Sequence, residues 1–223
     1  KRAIALRPDH AAAHSNLGSV FKKLGKIKES IASYRQSLSL NYNLAETHIN
    51  LGINLKELGR LEEAEASYRQ ALLLKPDHAG AHSNFANLLI ELGRLDEAEA
   101  SCRKSIELRP DYVEAYQNLG ITLYINEDID SALKVLQKAK NIDSKSMFIR
   151  LLLSVFTSRM SRKTSGDCTI SLDGQRGGLG LAANPLILNR AVEPELISTL
   201  YEMESRELSK TNSEDARYGN GRC

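Results

Sequence analysis

The chain has 223 residues, a net charge of +2, 26% charged residues of both signs, and 5% aromatics with no tryptophan. That composition argues against an obligate nucleic-acid binder, which would need a basic stripe and aromatic faces for bases to stack on. Three cysteines at wide spacing (Cys102, Cys168 and Cys223) supply neither a disulfide framework nor a CxxC metal motif, so a reducing, cytoplasmic setting is expected.

The first ten residues, KRAIALRPDH, match KSIELRPDY at Lys104–Tyr112. They read as the end of a repeating unit, with Lys1 inside a helix whose first half is missing, and the sequence as a fragment of a longer protein. Four segments of 34 residues then align without a gap, at 11–44, 45–78, 79–112 and 113–146. A fixed period of this length means stacked supersecondary units, not one closed core.

Numbering each unit from 1 to 34 places Ala11, Ala45, Ala79 and Val113 at position 1. Positions 7 and 8 are Leu17-Gly18, Leu51-Gly52, Phe85-Ala86 and Leu119-Gly120, and position 11 is Phe21, Leu55, Leu89 and Leu123. With position 4 these form the stripe of an amphipathic helix. The small residues at position 8 allow a second helix close approach. Gly25, Gly59 and Gly93 at position 15 predict a left-handed residue ending the first helix. In the fourth unit Asn126-Glu127 replace Leu-Gly, and that turn is expected to be less tightly fixed. A second helix follows, small at positions 20 and 27 and large or apolar at position 24 (Tyr34, Tyr68, Cys102, Leu136). Pro76 and Pro110 at position 32 are predicted to stop it. Each unit is therefore a helical hairpin.

Residues 147–160 (MFIRLLLSVFTSRM) read as one more helix, either a cap on the last hairpin or a degenerate repeat. Residues 161–184, polar and glycine-rich at GQRGGLGLAANP, read as a linker. Residues 185–223 read as the truncated start of a second domain: a strand-like Leu186–Arg190, then a helix opening near Pro194. The longest apolar run is too short and too interrupted to span a bilayer, and no secretory signal is visible. No membrane contact is expected.

The L-G-x2-aromatic/Leu … A-x3-Y … P pattern resembles the tetratricopeptide repeat. The resemblance implies an all-α fold, a right-handed α-solenoid of helical hairpins whose first helices line a concave groove. The segment NPLILNRAVEPELISTLYEMESRELSKT…YGNGR is similar to the start of a 2-oxoglutarate/Fe(II)-dependent oxygenase domain that follows such repeats in some bacterial proteins. That family needs an H-x-D/E pair and a distal histidine, and no histidine follows His82. This chain is thus expected not to be an enzyme and to need no cofactor. Its expected role is an interaction scaffold for a protein or extended peptide, with no nucleic-acid partner. The alternative is the substrate-recruiting arm of a larger enzyme, an oxygenase or, further off, an O-linked glycosyltransferase.

Asn16, Asn50, Asn84 and Asn118 all fall at position 6, which the resemblance points into the groove. An asparagine amide offers an acceptor and a two-proton donor, so it can pair with both polar groups of a peptide unit. A repeat rise of about 8–10 Å matches about three residues of extended chain. The ladder resembles that of O-linked N-acetylglucosamine transferases. The alternative is that these amides only keep the groove wet. Lys22 and Lys56 at position 12, with Ser15, Ser83 and Gln117 at position 5, are expected to line the same groove, Glu57 and Glu91 partly offsetting the lysines. Gly80 and Asn84 stand where chaperone-tail clamps of this family carry cations. His14, His48 and His82 recur at position 4, but residues one repeat apart are too far from each other to share one ion, so a packing role is expected and no metal site.

Overall fold

The computed structural model describes residues 10–164. Among these, the secondary structure is α-helix throughout. Four hairpins run in order: α1 (Ala11–Lys23) with α2 (Ile27–Leu40), α3 (Ala45–Glu57) with α4 (Leu61–Leu74), α5 (Ala79–Glu91) with α6 (Leu95–Leu108), and α7 (Val113–Ile125) with α8 (Ile129–Ile142). The chain divides into two compact units between Ser144 and Lys145. The hairpins make up the first; α9 (Met147–Thr164) belongs to the second.

The turn inside each hairpin is one device used four times. Position 15 is left-handed, with φ of 71° at Gly25, 72° at Gly59 and 74° at Gly93. The N–H of position 16 returns to the carbonyl of position 11 at 2.9 Å in every unit, and position 15 returns to position 12 at 2.9–3.1 Å. These paired bonds satisfy carbonyls that a helix end leaves open. The fourth turn corrects the expectation of looseness: Asp128 bonds Leu123 at 2.9 Å and Glu127 bonds Tyr124 at 3.1 Å, as in the other units. Packing of α7 on α8 holds the turn, and the missing glycine shows as strain, with Glu127 at φ 64°.

The second helices all stop at position 30, whether position 32 is Pro76 and Pro110 or Tyr42 and Ser144. Proline is therefore not what ends them. At the three junctions between hairpins, position 4 of the following unit reaches back to the carbonyl of position 32. His48 Nε2 lies 2.9 Å from the Tyr42 carbonyl, His82 Nε2 lies 2.8 Å from that of Pro76, and the Tyr116 hydroxyl donates to that of Pro110 at 2.9 Å. This is the packing role expected of the periodic histidines, with a hydrogen bond added.

Within a hairpin, position 8 meets position 24. A Cβ on Gly18, Gly52 or Gly120 would sit 2.6, 2.8 or 2.8 Å from the buried Tyr34, Tyr68 or Leu136. Where position 8 is Ala86, its opposite is the smaller Cys102. Small residues on the second helix bring it onto the first and bond its carbonyls: Ser30 to Gly18 at 2.6 Å, Ser37 to Ala11 at 2.7 Å, and Ser105 to Ala79 at 2.8 Å. Successive first helices (α1, α3, α5, α7) also contact one another, more than successive second helices do. The first helices thus form the inner layer of the stack.

The helix over α9 runs through Thr164, four residues past the expected boundary at 160. Polarity alone does not end a helix. Thr157 and Ser158, inside the expected helix, already bond the carbonyls of Leu153 and Ser154 four residues back, at 2.6 and 3.0 Å, and past 160 no glycine or proline occurs before Gly166. Its buried residues, Ile149, Leu152, Val155 and Phe156, share one face. The partial repeat at 1–9, the rest of the 161–184 linker and the 185–223 segment lie outside the described residues.

Candidate functional site

Position 6 falls on the inner layer, one residue before the apolar position 7, and its side chains keep some exposure in every unit. Asn16 is exposed; Asn50, Asn84 and Asn118 are half-buried. Their availability differs. Among the described residues, Asn16, Asn50 and Asn84 have no hydrogen-bond partner. Asn118 is committed: its Nδ2 donates to the Ser83 carbonyl at 3.1 Å and to the Ser83 hydroxyl at 3.2 Å. The four-rung row is therefore three free amides and one that ties α7 to α5.

The flanking positions are similarly divided. Ser15 Oγ lies 2.9 Å from Thr47 Oγ1 of the next unit, and Ser83 is buried under Asn118. Gln117 is half-buried and, among the described residues, without a hydrogen-bond partner. Lys56 is held across the repeat boundary, its Nζ donating to Asn87 Oδ1 at 2.6 Å and pairing with Glu91 Oε2 at 3.4 Å. Lys22 is half-buried; burial holds its ammonium below the ordinary lysine range, and the charge of Glu57 opposes that shift. Each lysine at position 12 thus faces the glutamate at position 13 of the following unit. Asn87, at position 9, went unnoticed in the sequence because position 9 varies (Ser19, Ile53, Asn87, Ile121) and so carries no period.

The chemistry of this surface is that of a row of amides flanked by compensated charge. Free amides can bond to a peptide main chain whatever its sequence. Among the described residues, no group of three or more His, Cys, Asp or Glu side chains could hold a metal ion, and no helix is long and apolar enough to cross a membrane.

Three tetratricopeptide-repeat family models match residues 9–75, 49–113 and 101–134, together more than half of the chain. The chain is a tetratricopeptide-repeat protein. Its fold is similar to that of MamA residues 41 to the end from Desulfovibrio magneticus RS-1, with a TM-score of 0.64 and 20% identity over 70% of this chain and 89% of that one. It is also similar to YrrB, described as a tetratricopeptide-repeat protein with an unusual peptide-binding site, with a TM-score of 0.61 and 17% identity over 73% and 84%. A third likeness is the first repeat domain of Spaghetti (RPAP3) bound to an HSP90 peptide, with a TM-score of 0.51 and 18% identity over 52% and 93%. At these identities the likenesses establish the fold alone. No curated protein sequence matches the chain.

Proposed function

We propose that this tetratricopeptide-repeat array is a non-catalytic interaction scaffold that holds an extended segment of a partner protein along its first helices. The observation that carries the reading is the row of Asn16, Asn50 and Asn84: three amides in one register, on the inner layer, with no partner among the described residues. An amide left half-covered and unbonded is available to a ligand without first breaking a bond inside the scaffold. Lys56 and Asn118, by contrast, already serve neighbouring repeats. Two proteins of similar fold support the reading, YrrB with its peptide-binding site and the RPAP3 domain with its bound HSP90 peptide.

The test is a peptide array screened for binders, followed by calorimetry on the strongest. Replacing Asn50 and Asn84 together by alanine is expected to leave the helical content and melting temperature unchanged. Affinity should fall by about 1–3 kcal/mol, at about 0.5–1.5 kcal/mol for each lost hydrogen bond. A selected peptide that binds the double variant as tightly as the parent would show that these amides merely hydrate the surface.

A further inference from the structure

The N-terminal parts of the second helices carry a charge pattern that is complete at one junction and broken at another. Between the second and third hairpins, two arginines and two glutamates close on each other. Arg94 donates from Nε and Nη2 to Glu97, at 2.7 and 2.6 Å, and from Nη1 to Glu65 of the preceding hairpin at 2.6 Å. Arg69 bonds Glu65 at 2.9 Å and lies 3.6 Å from Glu97. Every edge of the Arg94 guanidinium is used.

The same four positions between the first and second hairpins are Arg35, Ile31, Arg60 and Glu63. One glutamate is missing: Ile31 stands where Glu65 stands one repeat later. Glu63 alone serves both cations, bonding Arg35 Nη2 at 2.7 Å and Arg60 Nε at 2.6 Å. Arg60 Nη1, whose counterpart in Arg94 takes the neighbouring glutamate, has no partner among the described residues. A third cation adds to the excess, because Lys28 occupies the position that is Glu62, Asp96 and Asp130 in the other hairpins. The result is an open cleft of about 410 Å³ lined by Lys28, Ile31, Ala32, Arg35, Leu58 and Arg60. Its floor is apolar, and Leu58 is 40% exposed.

We propose that this cleft is a second protein-binding site, separate from the inner layer, for an acidic segment with an apolar residue next to its carboxylate. The partner's carboxylate takes the place of the glutamate that the first hairpin lacks, bonding the open edge of Arg60 within reach of Lys28. The adjacent apolar side chain covers Leu58 and Ala32. A guanidinium presents five donors in a fixed fork, which matches a carboxylate and leaves little for a neutral group. The closed junction one repeat later shows the arrangement that the bound carboxylate would restore. An apolar floor suits a peptide side chain, and aromatic platforms on which a nucleic acid could stack bases are absent from the lining.

The experiment is fluorescence anisotropy on the full chain with a labelled eight-residue peptide alternating glutamate and leucine. Its counterpart with glutamine for glutamate serves as control. The acidic peptide should bind about tenfold or more tightly than the glutamine peptide, because each charge-assisted bond is the stronger kind. Lys28→Glu restores the charge found in the other hairpins and is exposed, so it should keep the melting temperature while weakening binding about tenfold. Arg60→Gln should weaken it similarly. The Asn50→Ala, Asn84→Ala pair removes the sequence-independent grip of the inner layer, and the preference for the glutamate peptide over the glutamine peptide should persist in it, which separates this site from the inner-layer reading. Equal binding of the glutamine peptide, retention of that preference in folded Lys28→Glu and Arg60→Gln, or its loss in the asparagine pair would each overturn the proposal. So would an oligothymidine that binds as tightly and is lost in the same two variants, since the site would then take phosphates.

Discussion

The contact between positions 8 and 24 makes a quantitative prediction at Gly52. A Cβ there would lie 2.8 Å from Tyr68 Cε1 and 3.0 Å from Cδ1 and Cζ, where ordinary contact begins at 3.4 Å. Tyr68 is fully buried, with the Phe85 ring centroid 6.3 Å from its own, so moving the ring disturbs its packed neighbours. Gly52→Ala therefore sets two effects against each other. Alanine in a helix interior gains about 1 kcal/mol over glycine. Overpacking a filled core costs about 1–3 kcal/mol. Because the whole ring edge is struck, the upper part of that range applies, and the net loss should be about 1–2 kcal/mol, or a melting temperature lower by about 2–8 °C. Gly52→Leu should cost about 3 kcal/mol or more by the same route. The third hairpin shows how the protein accommodates the methyl group: Ala86 faces Cys102. Tyr68→Cys alone should be costly, as large-to-small core changes are. Combined with Gly52→Ala it should cost less than the sum, with coupling of about 0.5–3 kcal/mol. Urea and thermal unfolding followed by circular dichroism read all four corners of the cycle. A Gly52→Ala protein that melts with the parent, or a cycle that is strictly additive, would refute the packing argument.

Two further predictions concern a strained turn and a buried imidazole. Glu127→Gly relieves a left-handed non-glycine residue and should raise stability by about 1 kcal/mol in urea titration; an unchanged or lower midpoint would mean that the turn relaxes without glycine. His48 is buried and its imidazole is held below the ordinary histidine range by that burial, the bond to the Tyr42 carbonyl opposing the shift. The unfolded chain then takes up the proton first, so stability should be flat above the unfolded-state pKa of about 6.5 and fall as pH drops below it. Melting temperatures compared between about pH 7.5 and 5 should show a smaller drop in His48→Gln than in the parent, and equal drops would assign the acid sensitivity elsewhere.

The repeat period made the hairpins legible because it reports on the hydrophobic face of each helix, and the face is a local property. Its limits appear wherever a neighbour substitutes for the local signal. Proline at position 32 looked like the stop of the second helix, yet Tyr42 and Ser144 occupy that place and the helices end at the same position. The bond from position 4 back to that turn is what recurs, in three junctions and with two residue types. Glu127 looked like a weakened turn because glycine is the inexpensive residue at positive φ. The bonds on either side of it are nonetheless complete, so the cost stays in the backbone dihedral. At α9, the polar residues 161–164 suggested the start of a linker, but no glycine or proline lies among them to break the helix.

The candidate site was legible to the same depth and no further. That position 6 belongs to one surface follows from the period, since equivalent positions on equivalent helices line up in a stack. Which of those amides is free does not follow, because availability is decided by the residue that the preceding repeat brings opposite. Asn118 meets Ser83 at position 5; in the repeat preceding Asn84 that position is Ile49, with no hydroxyl, and in the repeat preceding Asn50 the Ser15 hydroxyl is already on Thr47. Asn54 shows the same dependence inside the core: its Nδ2 finds Ser30 at 2.6 Å while its Oδ1 is buried without a partner. The junction of Arg35, Arg60 and Glu63 extends the point to the outer surface, where one substitution, Ile31 for glutamate, leaves a guanidinium edge open. In a stack of near-copies, the residues that repeat build the scaffold, and it is the departures from the repeat that set where it can bind something else.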